Sequence, residues 1–179
     1  MDESNPIKDL LYQTLGATPQ DIIAEKIRND PKSLIREIFA KSDIDSLDGD
    51  KTENYEKFAE SLMHYILTNT LIPSQRKITV NQIELDIVIP DVRTLKTTSK
   101  DAIVLVFPKT NNIKAIQQRL ESINVLQPIS QNIWLVQKSS TNTTYKTYEL
   151  ENGSFFDIID DIKKAIAGKA QSKFKIFKV

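Results

Sequence analysis

Residues 102–107 read Ala-Ile-Val-Leu-Val-Phe, and residues 133–136 read Ile-Trp-Leu-Val. Unbroken apolar runs this short suit strands covered on both faces, because a half-solvated strand would alternate with polar residues. Between them, Ile113, Ile116, Leu120 and Ile123 recur at helical spacing. A strand, a helix and a second strand make a β-α-β unit with parallel strands, so the chain is expected to be an α/β protein. Pro108 ends the first strand, since it cannot donate to a ladder.

Upstream, Ile78-Thr79-Val80 and Ile83-Glu84-Leu85-Asp86-Ile87-Val88-Ile89 read as two more strands. Asn81-Gln82 joins them as a tight turn or a bulge. Strict alternation puts Ile83, Leu85, Ile87 and Ile89 on one face and the carboxylates of Glu84 and Asp86 on the other. Before this pair, residues 54–71 carry Tyr55, Phe58, Leu62, Ile66 and Leu67 at helical spacing, with Glu56, Glu60 and His64 in a row of their own. Residues 42–53 are polar and acidic and read as a linker; Asp43, Asp45, Asp48 and Asp50 lack the spacing of a calcium loop. Residues 1–41 form a helical N-terminal layer of three short helices, the second expected to be capped by Thr18 with Pro19 at its first position. The third has no basic recognition face, so a packing layer is expected rather than a DNA-reading helix-turn-helix.

Downstream, residues 91–101 are polar, residues 144–151 alternate weakly as an edge strand, and Ser154 is expected to cap a helix carrying Phe155, Ile158, Ile159, Ile162 and Ile166. Together these make a mixed central sheet of about five strands flanked by helices, with an α/β core over residues 54–168. The last stretch, residues 169–179, is a basic tail or terminal edge strand in which Lys169, Lys173, Lys175 and Lys178 interleave with Phe174, Ile176 and Phe177. Such a mixture can grip phosphates and stack on bases, or dock as a strand with its lysines solvated.

Composition removes most chemistries. With 24 Lys+Arg against 24 Asp+Glu, no global charge excess points to a polyanion. No cysteine is present and only one histidine, which excludes disulfides, thiolate catalysis and the common zinc sites. Four glycines cannot build a dinucleotide turn or a Walker loop. His64 lacks a nucleophile-elbow pattern nearby, so a serine-type triad is not expected. Residues 1–15 start acidic and hold no long apolar run, so a cytoplasmic protein without a membrane anchor is expected.

Carboxylates and a lysine remain. Oxygen ligands suit magnesium, which polarises a phosphodiester while a neighbouring lysine stabilises developing charge. The order of acidic helix, strand with Asp86, strand ending at Val106-Phe107-Pro108-Lys109, helix and strand resembles the restriction-endonuclease-like, or PD-(D/E)xK, nuclease superfamily over residues 54–138. That resemblance implies an α-β-β-β-α-β core with Asp86 as the metal-bridging aspartate and Lys109 as the catalytic lysine. It further implies Glu60 or Glu56 as the helix carboxylate, and Gln118, with Arg119 beside it, on the nucleic-acid-facing helix. The pattern's second acid is replaced by Phe107, and Glu84 is the candidate to substitute for it as a ligand. Pro90-Asp91 supplies a literal Pro-Asp, offset from the position the pattern uses.

The expectation is therefore a nucleic-acid-associated protein, either an inactive relative or a magnesium-dependent nuclease acting on DNA or RNA. The alternative is a non-catalytic scaffold working through its N-terminal helices. An edge strand at residues 145–150 or in the tail could support a homodimer by sheet extension.

Overall fold

The computed structural model describes residues 5–176, with side chains to residue 171. Three helices open the chain, each positioned by its first turn. In α1 (Pro6–Gly16) the Asn5 side chain accepts from the Lys8 N–H, and in α3 (Pro31–Lys41) Asp30 accepts from the Ser33 N–H. Between them, α2 (Gln20–Asn29) has Pro19 itself at the cap position with no side-chain cap, so Thr18 does not play that part. Ile7, Leu11, Ile23, Ile27, Leu34 and Ile35 from these helices are buried together, as the helical layer required.

The acidic segment that follows is anchored rather than a free linker. Ile44, in a short 3-10 turn (Ile44–Ser46), is 2% exposed, and Asp50 caps the next helix by accepting from the Glu53 N–H at 2.8 Å. That helix, α4 (Lys51–Thr68), therefore starts three residues before the span 54–71 expected for it, and it also ends three residues before that span does.

The sheet has five strands in the order β1-β2-β3-β4-β5: β1 (Gln75–Val80), β2 (Ile83–Ile89), β3 (Ile103–Val106), β4 (Ile133–Gln137) and β5 (Lys146–Glu149). The first two pairings are antiparallel and the last two parallel, a mixed sheet as expected. Asn81 and Gln82 both have positive φ (49° and 66°), the backbone of a two-residue hairpin turn that matches strand twist. Helix α6 (Ile113–Leu126) makes the crossover from β3 to β4.

Residues 91–101 are not simply a polar loop. Asp91 accepts from the Thr94 N–H at 2.7 Å and starts α5 (Val92–Thr97), which buries only Leu95. Two hydrophobic clusters lie on the two faces of the sheet. One joins α1–α4 and the last helix to Ile87, Leu105, Phe107 and Val136; the other joins α5 and α6 to Val88, Val104, Val106 and Leu135. Alternation along β3 and β4 distributes these side chains, which is why both strands read as continuous apolar runs.

The C-terminal region departs most from expectation. A 3-10 turn (Ser154–Asp157) precedes α7 (Ile158–Ile176), and Ser154 receives the Glu149 N–H instead of capping the helix. Helix α7 runs straight through Gly168, so residues 169–176 are helical and not a terminal strand. No helix among the described residues is long and apolar enough to cross a membrane.

Candidate functional site

Helix α4 brings two carboxylates to the sheet instead of to solvent. Glu56 and Glu60 are one turn apart and each is only 1% exposed. Burying a carboxylate costs several kcal/mol unless its oxygens find donors. Glu56 accepts the backbone N–H of Lys109 at 2.5 Å and that of Lys138 at 2.9 Å, tying the helix to the chain just past β3 and β4. Burial pushes its pKa up from 4.5 to about 7, and the two backbone donors restrain that rise. Glu60 meets charges: its Oε1 lies 2.9 Å from Arg76 Nε and its Oε2 lies 2.7 Å from Lys109 Nζ.

Asp86 reaches the same place because β1 and β2 change faces there. Ile83 and Leu85 pack in the α5/α6 cluster, whereas Ile87 and Ile89 pack on the opposite side, so strict alternation breaks at Asp86. The ladder pairs Arg76 with Ile87 and Ile78 with Leu85 but omits the Lys77 and Asp86 pair between them. Lys77 has φ 52°, a left-handed conformation that costs a non-glycine residue about 1–2 kcal/mol. The rotation sends Arg76 toward Glu60 on α4 while Ile78 and Val80 pack with the other cluster.

Lys109 completes the group. It too is left-handed (φ 60°), held by its N–H on Glu56 and by its ammonium between Glu60 and Asp86, 3.1 Å from Asp86 Oδ1. Arg119, on α6, places Nη2 2.9 Å from the same Oδ1 and donates from Nη1 to the Phe107 carbonyl at 3.1 Å. The other oxygen, Asp86 Oδ2, accepts the Phe107 N–H at 2.7 Å. Of the expected site residues, the structure thus places Asp86, Glu60 and Lys109 side by side. Arg76 and the clamp at Glu56 were missed, and the one available signal was the arginine and lysine pair directly before Ile78-Thr79-Val80.

The donor set does not fit magnesium. Every oxygen of Glu56, Glu60 and Asp86 already accepts from a backbone N–H, a lysine or an arginine, whereas magnesium, held through one or two carboxylates with waters and phosphate completing its shell, needs carboxylate oxygens turned away from such donors. Phe107, at the second acid position, is fully buried. Glu84 is exposed near the hairpin tip and makes no ion pair among the described residues, so it does not join this cluster. Among the described residues, no three acidic or histidine side chains are grouped to hold a metal.

The remaining candidates are scattered. Gln118 is exposed beside Arg119 with no side-chain hydrogen bond among the described residues, and Asp91 is spent as the α5 cap. The ammonium of Lys169 donates to the Lys100 carbonyl. Lys173 and Lys175 lie on α7 with side chains outside the described residues, and Lys178 lies outside them altogether.

Beside the ion cluster is a cavity of about 670 Å³ whose wall includes Asn5, Asn54, Lys57, Arg76, Lys77 and Lys109. A second, of about 540 Å³, shares Asn5, Ser61, Arg76 and Lys77 with it and continues along α1 and α4 past Tyr12, His64 and Tyr65. The two adjoin as a groove, with Arg76 and Lys77 common to both, Lys57 and Lys109 in the first and Lys8 in the second. No protein-family model, no curated protein and no solved structure matches the chain.

Proposed function

We propose that the chain is a nucleic-acid-associated protein that holds phosphate groups at this groove without hydrolysing them, on a scaffold similar to the restriction-endonuclease-like core. The observation that carries this reading is the pairing of Lys109 with Glu60 and Asp86 beside a cavity whose wall holds Arg76, Lys77, Lys109 and the Glu53-paired Lys57 against the acids Asp48 and Glu60. The order α4, β1, β2, β3, α6, β4 agrees with the order that the resemblance implies, with α5 inserted. Three cations, Arg76, Lys109 and Arg119, surround the carboxylates of Glu60 and Asp86, so the cluster is poised toward anions and not toward a divalent cation. Cleavage is not expected, because no carboxylate oxygen is left to bind the ion that would polarise a phosphate.

Fluorescence anisotropy with labelled DNA and RNA oligonucleotides tests the reading. Raising salt from 50 to 200 mM should weaken binding about 20-fold, the loss for roughly three phosphates neutralised on a single strand. Added magnesium should leave the oligonucleotides intact. Absence of binding at low salt would refute the reading, as would magnesium-dependent cleavage abolished by Asp86→Ala.

A further inference from the structure

Consecutive residues in a strand normally point to opposite faces. Arg76 and Lys77 nevertheless line the same two cavities, because Lys77 is held left-handed at the point where β1 changes faces. Arg76 is braced from behind by Glu60 and by Ser61, whose Oγ lies 3.3 Å from Nη2. Lys77 is exposed and has no ion pair or hydrogen bond among the described residues, so its ammonium is available at the groove junction.

The arm of the groove leading away from Lys109 has a different character. Tyr12 on α1 is 55% exposed, and it lines this arm together with His64 and Tyr65 on α4. His64 Nδ1 is buried and has no hydrogen-bond partner among the described residues. Burial, followed by the charge of Arg76, lowers the pKa of His64, which keeps the imidazole neutral at physiological pH. Because Nδ1 is covered, it is the remaining edge of the half-buried neutral ring that can meet a base, and Tyr12, with Lys8 Nζ 5.9 Å from its ring centroid on one side, keeps one face for stacking.

We propose that this arm is a base pocket for single-stranded nucleic acid, with the adjoining phosphate held by Arg76 and Lys77 and an unpaired base received by Tyr12, Tyr65 and His64. The proposal rests on the nucleic-acid reading above and narrows it to an unpaired strand. A duplex keeps its bases stacked and presents only phosphates to such a groove.

The test is anisotropy with a 12-nucleotide oligo(dT), an abasic strand of the same length and a 12-base-pair duplex. Wild type should bind oligo(dT) about tenfold more tightly than the abasic strand, within the range one stacked base contributes. Tyr12→Ala and His64→Ala should each remove most of that difference while leaving the salt dependence unchanged, whereas Lys77→Ala should weaken all strands and lower the salt slope. Tyr12 is half exposed, so its variant keeps the fold even where His64→Ala disturbs α4, and thermal melts of each variant establish this. Equal binding of oligo(dT) and the abasic strand, or no effect of Tyr12→Ala on oligo(dT), overturns the base pocket but leaves phosphate binding standing. Failure of wild type to bind any of the three removes both.

Discussion

Glu56→Gln isolates a buried carboxyl whose titration is pushed into the physiological range. In the folded chain its pKa is raised from 4.5 to about 7, chiefly by burial, while unfolding returns it to the ordinary value. The native state then binds this proton more tightly than the unfolded state. Below pH 4.5 both states are protonated and the group carries no penalty; as pH rises toward 7 the unfolded chain releases the proton first, and stability falls. A shift of that size corresponds to about 3 kcal/mol lost between pH 4.5 and 7. Glutamine cannot titrate, so its stability should be flatter by that amount over the same window. Its amide has one acceptor for the two N–H groups of Lys109 and Lys138, so it gives up one hydrogen bond at every pH, a constant offset of about 1–3 kcal/mol. Urea denaturation of both proteins at half-unit steps from pH 4 to 8 separates the offset from the slope. Parallel curves would refute the argument, because they would mean that Glu56 ionises in the folded chain as it does in water.

Three further outcomes follow from the same group of residues. Phe107→Ala should cost about 3–5 kcal/mol in chemical denaturation, the usual price of emptying a fully buried aromatic site; a loss under 1 kcal/mol would mean that the position is not filled by packing. Lys109→Gly should be more stable than Lys109→Ala by roughly 0.5–1 kcal/mol, since both lose the ammonium but only glycine relieves φ 60°. The reverse order would show that no backbone strain is held there. Asp86→Ala should cost about 3–5 kcal/mol because it leaves Arg119 without a carboxylate and the buried Phe107 N–H without its acceptor, while Lys109 keeps only Glu60. Adding Arg119→Ala should then cost less than it does in the wild type, and additive losses in that double-mutant cycle would show that the pair is not coupled.

The central sheet was legible because its middle strands have no solvent face. Ala102–Phe107 and Ile133–Val136 announce themselves by composition alone, and the helix between them forces the parallel pairing. The site was legible only in part. Asp86 and Lys109 were singled out through the resemblance to the endonuclease-like core, but Glu56 and Glu60 look in sequence like any exposed i, i+4 pair; Glu56 is buried on backbone donors 53 and 82 positions away along the chain, and Glu60 against Arg76 and Lys109. The break in alternation at Asp86 was hidden for a related reason. It depends on Lys77 adopting a backbone conformation that a lysine does not advertise. Segments 42–53 and 91–101 read as loops because single anchors, Ile44 and Leu95, are too sparse to show a period. At the C-terminus Gly168 resembled a stop signal, yet a β-carbon there would meet nothing within 4 Å, and the helix passes through it.

The twist at Lys77 also bears on how the protein behaves when crowded with copies of itself. β1 forms one border of the sheet, and a border with an even row of free amides and carbonyls is a template on which a foreign strand can zip. Here the row is dislocated near its middle, so an incoming segment would lose register after two or three residues. The opposite border, β5, is only four residues long. Neither side offers the uninterrupted length that fibril growth requires, which leaves concentrated solutions of this chain protected by geometry rather than by net charge.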